Sequence, residues 1–318
     1  MSEPSAQGRA AEPEPGPAAR RADAPAPAGD TPEGLPPVPQ GAPGLDPLRV
    51  RVDLRRLTTE QAAHLRRLCY HHKLLVLEAG DLSEPEYIAF ARTVGTPEPY
   101  FQDHYHHPDH PEIFVSSNIK VDGQKVGVAG TGRMWHTDYS FFDRPLAFTC
   151  VYPRILPSVK RETYYIDMAR VYADLPRELK DELAGLTFFH DAWDYYKVQP
   201  WDIDRAVAEL IEDWHAEAPG ASHPAVVVHP STGERILFFS KGFTKRVEGV
   251  THERGTALIQ QLADLVDQPA YRHRQVWQEG DLFMWDNRTL IHHASTVPQG
   301  EPSCSYRISL YDELPFRV

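Results

Sequence analysis

The feature that most constrains the fold of this chain is a long succession of short apolar runs after Pro99. Each run has the length of a strand, and glycine and proline residues separate many of the runs. Such a pattern is typical of a β-sandwich or a barrel, in which extended segments alternate with tight turns. The predicted strands are residues 113–117, 125–129, 146–152, 164–167, 226–229, 236–239, 274–277, 282–286 and 305–311.

Helical periodicity is confined to a few segments. Thr58 and Gln61 form a capping pattern at the start of a helix that ends near His72, and residues 73–77 follow as a short apolar strand. The chain is therefore predicted to be α+β and mainly β, with helices outside a β core. The other predicted helices are residues 83–91, 168–183 and 253–265.

The first 45 residues have a different composition from the rest of the chain. They are dominated by Pro, Ala, Gly, Glu and Arg and contain no aromatic residue. A segment of this kind buries too little apolar surface to offset the entropy of ordering. We therefore expect residues 1–45 to be a disordered tail and residues 46–318 to be a single folded domain. Residues 193–214 are expected to be a lid-like insertion in it.

Charge and composition exclude several classes of protein. The chain has 33 Lys and Arg against 45 Asp and Glu, a net charge of −12, whereas nucleic-acid binding without sequence preference needs clustered basic residues. An anionic ligand would need a local basic pocket. The chain contains neither a secretory signal nor an apolar run of about 18 residues, which predicts a cytoplasmic protein without a membrane span. Cys69, Cys150 and Cys304 lack a metal-binding spacing and are expected to be reduced thiols.

His136 and Asp138 are the first candidates for a metal site. Two imidazoles and one carboxylate on one face of a metal suit an iron(II) oxygenase, because they leave coordination positions open. On a strand, residues two positions apart point to the same side, so both side chains could face one ion. The spacing alone is a weak signal, since about one His-x-Asp is expected by chance at ordinary composition.

Three other pairs in the sequence share this spacing. Two of them have a proline in the middle and belong to a His-rich loop, residues 104–110, where the missing N–H disfavours a central strand. The third pair lies in a segment whose sequence favours a helix, where residues two apart diverge. We therefore expect the His-rich loop to be exposed or to pack at an entrance, without iron. The rival pairs are His107 with Asp109, His110 with Glu112, and His215 with Glu217.

Three longer motifs occur in the order in which the taurine dioxygenase family has them. They are WHTD at residues 135–138, GDLFMWDNRTLIH at residues 280–292 and RxS at residues 307–309. The chain from about residue 48 to its end therefore resembles this family. The resemblance implies a double-stranded β-helix (jelly-roll) core with flanking helices, a bound iron(II) ion, 2-oxoglutarate as co-substrate and O2 as oxidant.

The same resemblance implies the metal ligands. They would be His136, Asp138 and His292, which together form the catalytic centre. The family places its distal histidine four residues after the arginine of the second motif, which selects His292 over the adjacent His293. Spacing alone leaves both histidines open.

The resemblance also implies how 2-oxoglutarate is held. Arg307 matches the arginine that pairs with the distal carboxylate of 2-oxoglutarate, and a guanidinium suits this role because it donates two parallel hydrogen bonds. Thr163 stands where the family has a threonine that contacts the same carboxylate. Asn287 and Arg288 are expected to hold the turn that precedes the distal ligand, as outer partners of a metal site do.

The substrate is suggested by a narrower resemblance. Family members that use sulfonates carry a second arginine four residues after the oxoglutarate arginine, and Tyr311 at that position disfavours taurine. Residues 99–114, Arg161 and residues 195–197 resemble the branch that forms isonitriles during lipopeptide assembly. This resemblance implies a (3R)-3-[(carboxymethyl)amino] fatty acid as substrate. Two rounds of oxidation with decarboxylation would convert its N-carboxymethyl group to an isonitrile.

Four residues are the candidates for substrate binding. Arg161 and Lys197 could neutralise carboxylates, and Tyr100 and Tyr105 offer hydroxyl groups and aromatic walls. Phe101 occupies a position where relatives can have a second tyrosine, which removes one hydrogen bond.

Other functions remain open at this point. A related oxygenase that hydroxylates another carboxylated small molecule would form one succinate per substrate, whereas isonitrile formation predicts two. A zinc hydrolase could use the same three ligands, although it needs no anchor such as Arg307. A binding module with a decayed metal site is disfavoured by the complete ligand set. The sequence leaves open the acyl-chain length, the stereochemistry at the 3-position, the use of a carrier and the role of the N-terminal tail. It also leaves open the oligomeric state, a homo-oligomer included.

Overall fold

The described chain opens with alternating strands and helices. The computed structural model describes residues 31–121 and 123–317. The first helix begins at a capping box, in which Thr58 Oγ1 accepts a hydrogen bond from Gln61 N at 3.1 Å and Gln61 Oε1 accepts one from Thr58 N at 3.0 Å. The predicted capping pattern and the α+β opening are therefore confirmed. These elements are β1 (Leu48–Val50), α1 (Thr59–His72), β2 (Leu74–Glu78) and α2 (Glu84–Val94).

Strands dominate the rest of the described chain. They are β3 (Thr96–Glu98), β4 (His106–His107), β5 (His110–Ser117), β6 (Lys120–Val121), β7 (Gln124–Lys125), β8 (Phe148–Ile155), β9 (Glu162–Asp167), β10 (Thr187–His190), β11 (Ala221–Pro224), β12 (Val226–Val228), β13 (Arg235–Leu237), β14 (Thr244–Glu248), β15 (Arg272–Val276), β16 (Asp281–Asp286), β17 (Leu290–Ala294) and β18 (Cys304–Tyr311). The helices among them are α3 (Met168–Asp174), α4 (Arg177–Leu183), α5 (Val207–Glu217) and α6 (His252–Val266). Single 3-10 turns lie at Leu54–Arg56, Asp103–Tyr105, Trp193–Tyr195, Pro200–Asp202 and Pro269–Tyr271.

Two sheets position the centre of the molecule. The larger sheet has the strand order β1-β2-β16-β8-β18-β5-β4, with β3 paired to β18, and a smaller sheet has the order β15-β9-β17. Strands β1 and β2 are parallel, whereas β2, β16, β8 and β18 pair antiparallel. Val151 of the larger sheet and Tyr165 of the smaller sheet belong to one buried apolar cluster, so the two sheets pack against each other.

Mixed sheets with flanking helices agree with the predicted α+β class, but two segments differ from expectation. The helix predicted over residues 168–183 is two helices, because Pro176 has no N–H to continue the first one and restricts the residue before it. Only Lys125 of the strand predicted over residues 125–129 lies in a strand. Gly127 has φ 69°, and a Cβ there would lie 2.2 Å from the carbonyl oxygen of Val115, so extended backbone ends at this glycine.

The segment that precedes β1 packs against the domain. Leu35 is buried in a core cluster with residues of α1 and α2, and Gly44 N donates to His71 O at 2.9 Å. The part of the predicted tail from residue 31 to 45 therefore belongs to the folded unit. Residues 1–30 lie outside the described residues.

The described residues bear on two predictions from the sequence, the missing membrane span and the reduced cysteines. None of their helices is long and apolar enough to cross a membrane. The cytoplasmic location stays a prediction. Cys69, Cys150 and Cys304 are free thiols, the first two of them buried.

Candidate active site

His136 and His292 are joined directly through their backbones. His136 N donates to His292 O at 3.1 Å, and His292 N donates to His136 O at 2.7 Å. This isolated antiparallel bridge connects a loop to β17. The two imidazole rings consequently lie on the same side, with their centroids 4.1 Å apart.

Asp138 completes the cluster. Its Oδ1 lies 3.8 Å from His136 Nε2, and its Oδ2 lies 4.0 Å from His292 Nε2. All three side chains are buried, and one potential ligand atom from each lies within 4.8 Å of the others. Among the described residues, this is the one group of three or more His, Cys, Asp or Glu that could hold a metal ion. The three rival pairs therefore have no third ligand nearby.

The backbone reaches this geometry without the strand expected at His136 and Asp138. Only His136 forms a bridge, and the chain then turns at Asp138. Tyr139 follows with φ 62°, a left-handed conformation that is unusual for a bulky residue and is often found at functional sites. The strand prediction is thus wrong here, because a tight turn rather than a continuous ladder follows the bridge. Asp138 nonetheless lies on the same side as His136, with Oδ1 3.8 Å from His136 Nε2.

Hydrogen bonds, burial and nearby charges set the protonation states of the three groups. His136 Nδ1 lies 2.8 Å from the carbonyl oxygen of Met134, so the proton resides on Nδ1 and Nε2 keeps its lone pair. Burial lowers the pKa of His136 and of His292, which favours the neutral imidazole that binds metals. Burial raises the pKa of Asp138, but the charges of Arg307 and the histidines outweigh it, and the pKa falls to about 2.

The donor set fits iron(II). Two neutral imidazoles and one ionised carboxylate, all facing one point, are the protein ligands of non-haem iron(II) oxygenases. Arg307 lies beside them, and its Nη1 donates to Asp138 Oδ1 at 3.1 Å. The guanidinium also stacks 4.2 Å from the ring centroid of Phe114. Its Nε is buried and has no hydrogen-bond partner within the described ranges.

A cavity of about 190 Å³ opens next to His136 and Asp138. Asp138 is the one carboxylate among the described residues that line it. The other lining residues are mostly aromatic or apolar, with a few polar and cationic groups, and the segment expected to act as a lid contributes Tyr195, Lys197 and Trp214.

Three of the four predicted substrate residues line this cavity. Tyr100 lies under the Arg307 guanidinium, 5.4 Å from ring centroid to Cζ. The Tyr105 hydroxyl accepts a hydrogen bond from Gln199 Nε2 at 3.3 Å, and burial raises its pKa to about 12. Lys197 Nζ donates to the carbonyl oxygens of Ala129 and Gly130. Burial lowers the pKa of Lys197, and Arg133 and Lys125 lower it further.

Arg161, the fourth predicted substrate residue, lies in a separate cavity. This smaller cavity, of about 60 Å³, shares Gly130, Thr131 and Arg133 with the larger one. Arg161 Nη1 donates to the Ser295 carbonyl oxygen and to Ser295 Oγ. Burial and the charge of Arg133 lower the pKa of Arg161 to about 10. Arg161 therefore does not face the His-Asp-His cluster directly.

Thr163 is also withdrawn from both cavities. Its hydroxyl oxygen accepts a hydrogen bond from Trp277 Nε1 at 3.0 Å, and its side chain is buried. Strand β9 places Thr163 opposite Ala294 of β17, two residues after His292. Thr163 therefore lies on the sheet that carries the distal histidine.

Two residues that the sequence interpretation did not select lie at the site. Arg133 lines both cavities, and within the described ranges it belongs to no ion pair. The sequence signal that could have identified Arg133 is its position after Gly130 and Gly132 and three residues before His136. Thr149 donates to Asp138 Oδ2 at 2.6 Å. No local pattern marks it, because it belongs to an ordinary buried strand.

Sequence comparison identifies relatives of the whole folded region. The family described as taurine catabolism dioxygenase TauD, TfdA family, matches residues 35–307. The α-ketoglutarate-dependent 2,4-dichlorophenoxyacetate dioxygenase of Cupriavidus pinatubonensis is 29% identical over 252 residues, which cover 76% of this chain and 85% of the relative. Pentalenolactone F synthase of Streptomyces arenae is 28% identical, with 73% and 80% covered.

The fold comparison agrees. The crystal structure of a taurine dioxygenase from Burkholderia xenovorans superposes with a TM-score of 0.68 at 24% identity, covering 88% of this chain and 91% of that one. The match to the family extends over most of the chain and includes the residues that build the His-Asp-His cluster. The chain therefore belongs to the TauD/TfdA family, and the protein is an oxidoreductase that depends on iron(II) and 2-oxoglutarate.

Proposed function

We propose that His136, Asp138 and His292 hold the iron, and that Arg307 and Thr163 anchor 2-oxoglutarate. The observation that carries the first part is the convergence of three buried ligand atoms within 4.8 Å beside a cavity. Bound iron(II) and 2-oxoglutarate supply the oxidation of a C–H bond by O2. The residues of the chain bind and orient the reactants and exclude water.

Unused hydrogen-bonding capacity supports Arg307 as the anchor. A guanidinium has five N–H groups, and Arg307 makes one hydrogen bond to a described residue, Asp138. A ligand carboxylate would satisfy the remaining donors in a bidentate arrangement. Thr163 lines neither cavity, so it would join Arg307 only where 2-oxoglutarate extends toward β9; it would then donate its hydroxyl proton, because the oxygen already accepts from Trp277.

The larger sheet and the β15-β9-β17 sheet also support a proposal about the fold. We infer that the larger sheet and the β15-β9-β17 sheet are the two walls of a double-stranded β-helix. Their shared apolar cluster and the bridge between His136 and β17 support this arrangement. The iron site would then lie at one end of the packed walls.

We propose a (3R)-3-[(carboxymethyl)amino] fatty acid as the substrate. Such a molecule carries two carboxylates, and Lys197, Arg133 and Arg161 supply three cations around two cavities that share lining residues, in an otherwise acidic protein. The causes that lower the pKa of Lys197 and of Arg161 are burial and other cations. A bound dicarboxylate would relieve this repulsion. One carboxylate would lie near Lys197, and the other would reach the Arg133 and Arg161 cavity.

Apolar surface for the acyl chain is available next to Lys197. The exposed large hydrophobic residues of the described chain concentrate between positions 195 and 207, close to the cavity in sequence. An acyl chain that leaves the cavity could bury part of this surface, at about 25 cal/mol per Å² of apolar area. The residues are Tyr195, Val198, Trp201, Ile203 and Val207.

The overall reaction balances with the co-substrates of the family. Conversion of the N-carboxymethyl group to an isonitrile releases carbon dioxide and removes four hydrogen atoms. Two molecules each of O2 and 2-oxoglutarate accept them, which yields two succinates, two waters and three carbon dioxides in total. A single hydroxylation would instead consume one O2 and form one succinate.

The test is to incubate the full chain with iron(II), 2-oxoglutarate, O2 and the 3-[(carboxymethyl)amino] fatty acid. We expect an isonitrile by mass spectrometry and two succinates per product. A hydroxylated product with one succinate would support the alternative hydroxylase, and no succinate with any carboxylated substrate would contradict the oxygenase chemistry.

Variants of Lys197 can test where the substrate binds. Lys197→Met should raise KM for the fatty acid, while uncoupled succinate formation from 2-oxoglutarate alone persists. Lys241→Met is a matched control, because Lys241 is exposed and lies 4.0 Å from Asp267. Equal KM values for the two variants would exclude Lys197 from substrate binding.

A further inference from the structure

Three hydrogen bonds connect Trp285 to Asp138 through Asn287 and Thr149. The chemistry of the groups determines which of them donates in each bond. Trp285 Nε1, which can only donate, lies 2.9 Å from Asn287 Oδ1. The side-chain oxygen of Asn287 is thereby identified, and its Nδ2 must face Thr149 Oγ1, 2.8 Å away. Because the Thr149 oxygen accepts this bond, its own proton points onward to Asp138 Oδ2 at 2.6 Å.

Every group in this line is buried. Trp285, Asn287, Thr149 and Asp138 are each less than 5% exposed. Little of their surface is open to solvent, and a buried donor left without a partner costs about 1–3 kcal/mol. The Thr149 hydroxyl is held in one orientation rather than rotating freely.

The two oxygens of Asp138 have different partners as a result. Oδ2 accepts from Thr149, whereas Oδ1 accepts from Arg307 Nη1 at 3.1 Å. Thr149 and Arg307 belong to the neighbouring strands β8 and β18. The carboxylate is therefore restrained from both sides, and its plane is set by residues far from it in sequence.

Asn287 also contacts, through its backbone, the side chain that lies between the first two candidate ligands. Its carbonyl oxygen accepts from Thr137 Oγ1 at 2.7 Å, and Thr137 lies between His136 and Asp138. The ring of Trp285 lies 4.7 Å from the ring of His292. Asn287 therefore contacts groups next to His136 and Asp138, and Trp285 contacts His292 itself.

We propose that Thr149, oriented by Asn287, is a positioning residue that holds the Asp138 carboxylate for metal binding. This inference rests on the proposed ligand role of Asp138. Partners of this kind typically contribute 10- to 100-fold to metal affinity. The family membership of the chain does not itself assign a role to Thr149.

The test is Mn(II) binding to the full-length protein, measured by calorimetry without substrate or O2. Thr149→Val keeps the shape of the side chain and removes the hydroxyl, and we expect Mn(II) affinity to fall about 10- to 100-fold. Thr149→Ser restores the hydroxyl and should return the affinity to within about threefold of wild type, since it keeps the donor.

Thr289→Val is the matched control. Thr289 is also fully buried and donates to a carboxylate, Asp286 Oδ2 at 2.7 Å, which is outside the cluster. It should lose thermal stability without losing Mn(II) affinity. If Thr149→Val behaves in the same way, the hydroxyl is merely structural and the inference is overturned.

Two further outcomes are separable. If Thr149→Val does not fold, Asn287→Ala takes its place, because it removes the donor that orients the hydroxyl. An Asn287→Ala affinity equal to that of wild type would then overturn the inference. If the wild-type protein itself binds no Mn(II), the proposed ligand role fails instead.

Discussion

Lys73 donates to both carboxylate oxygens of Asp167, at 2.9 and 2.8 Å, and to Glu234 Oε1 at 2.8 Å. The Lys73 side chain is fully buried and lies just after α1, where the backbone is left-handed with φ 64°. Asp167 also accepts from the first amides of α3. One buried cation therefore connects the end of α1 to the end of β9, the strand that carries Thr163, and to the start of α3.

Removal of this cation should destabilise the fold strongly. We expect Lys73→Met to lower the free energy of unfolding by about 3–5 kcal/mol, because two carboxylates lose their buried partner. Lys241→Met, on an exposed pair, should change it by no more than about 0.5 kcal/mol. Urea unfolding at equal m-values would measure the free energy of unfolding of both variants. Similar losses of this free energy in the two variants would contradict the prediction.

The adjacent histidines of β17 should differ sharply in metal binding. His292 lies 4.0 Å from Asp138, whereas the ring of His293 lies on the other face, 5.5 Å from the ring of Trp135. His292→Ala should weaken Mn(II) binding by more than about 100-fold, beyond the loss typical of an outer partner. His293→Ala should bind Mn(II) nearly as wild type does. Calorimetry on the two variants measures the difference in Mn(II) affinity. A larger loss of affinity in His293→Ala than in His292→Ala would contradict the assignment of His292 as the ligand.

A lysine cannot replace the guanidinium of Arg307 in the proposed anchor. Arg307→Lys keeps the charge but loses the bidentate geometry, and we expect KM for 2-oxoglutarate to rise about 10- to 100-fold, as for a lost charge-assisted bond. Arg154→Lys is the control, since that guanidinium also lies over tyrosine rings but outside the cavity. Unchanged KM in Arg307→Lys would place the anchor elsewhere.

His190 should make the fold sensitive to acid. Burial, followed by the charges of His223 and Lys245, lowers the pKa of His190 to about 3. The unfolded chain therefore binds this proton near pH 6.5 and the folded one does not, so stability is lost as the pH falls from about 6.5 to 3, by about 1.4 kcal/mol per pH unit. His190→Leu should flatten this dependence. His252→Leu, at the exposed start of α6, is the control for the loss of an imidazole, and urea titrations at several pH values compare the two variants.

Local signals in the sequence predicted local structure well. The capping box at Thr58 and Gln61 and the helical periodicity of α6 depend on residues within a few positions of one another, so a linear pattern contains them. The family and its cofactors could be identified in the same way, because WHTD and WDNR with its following histidine are contiguous motifs. Strand β17, which carries His292, was missed, because its polar histidines interrupt the apolar pattern.

Tertiary structure alone decided which side chains meet. The bridge between His136 and His292 joins residues far apart in sequence, and the register of β17 sends His292 and His293 to opposite faces. The same packing separated Arg161 from the cavity that His136 and Asp138 line and brought Thr149 to Asp138. A sequence contains the residue types that chemistry requires. Long-range strand pairing and burial determine their distances, and no pattern of neighbouring residues records those distances.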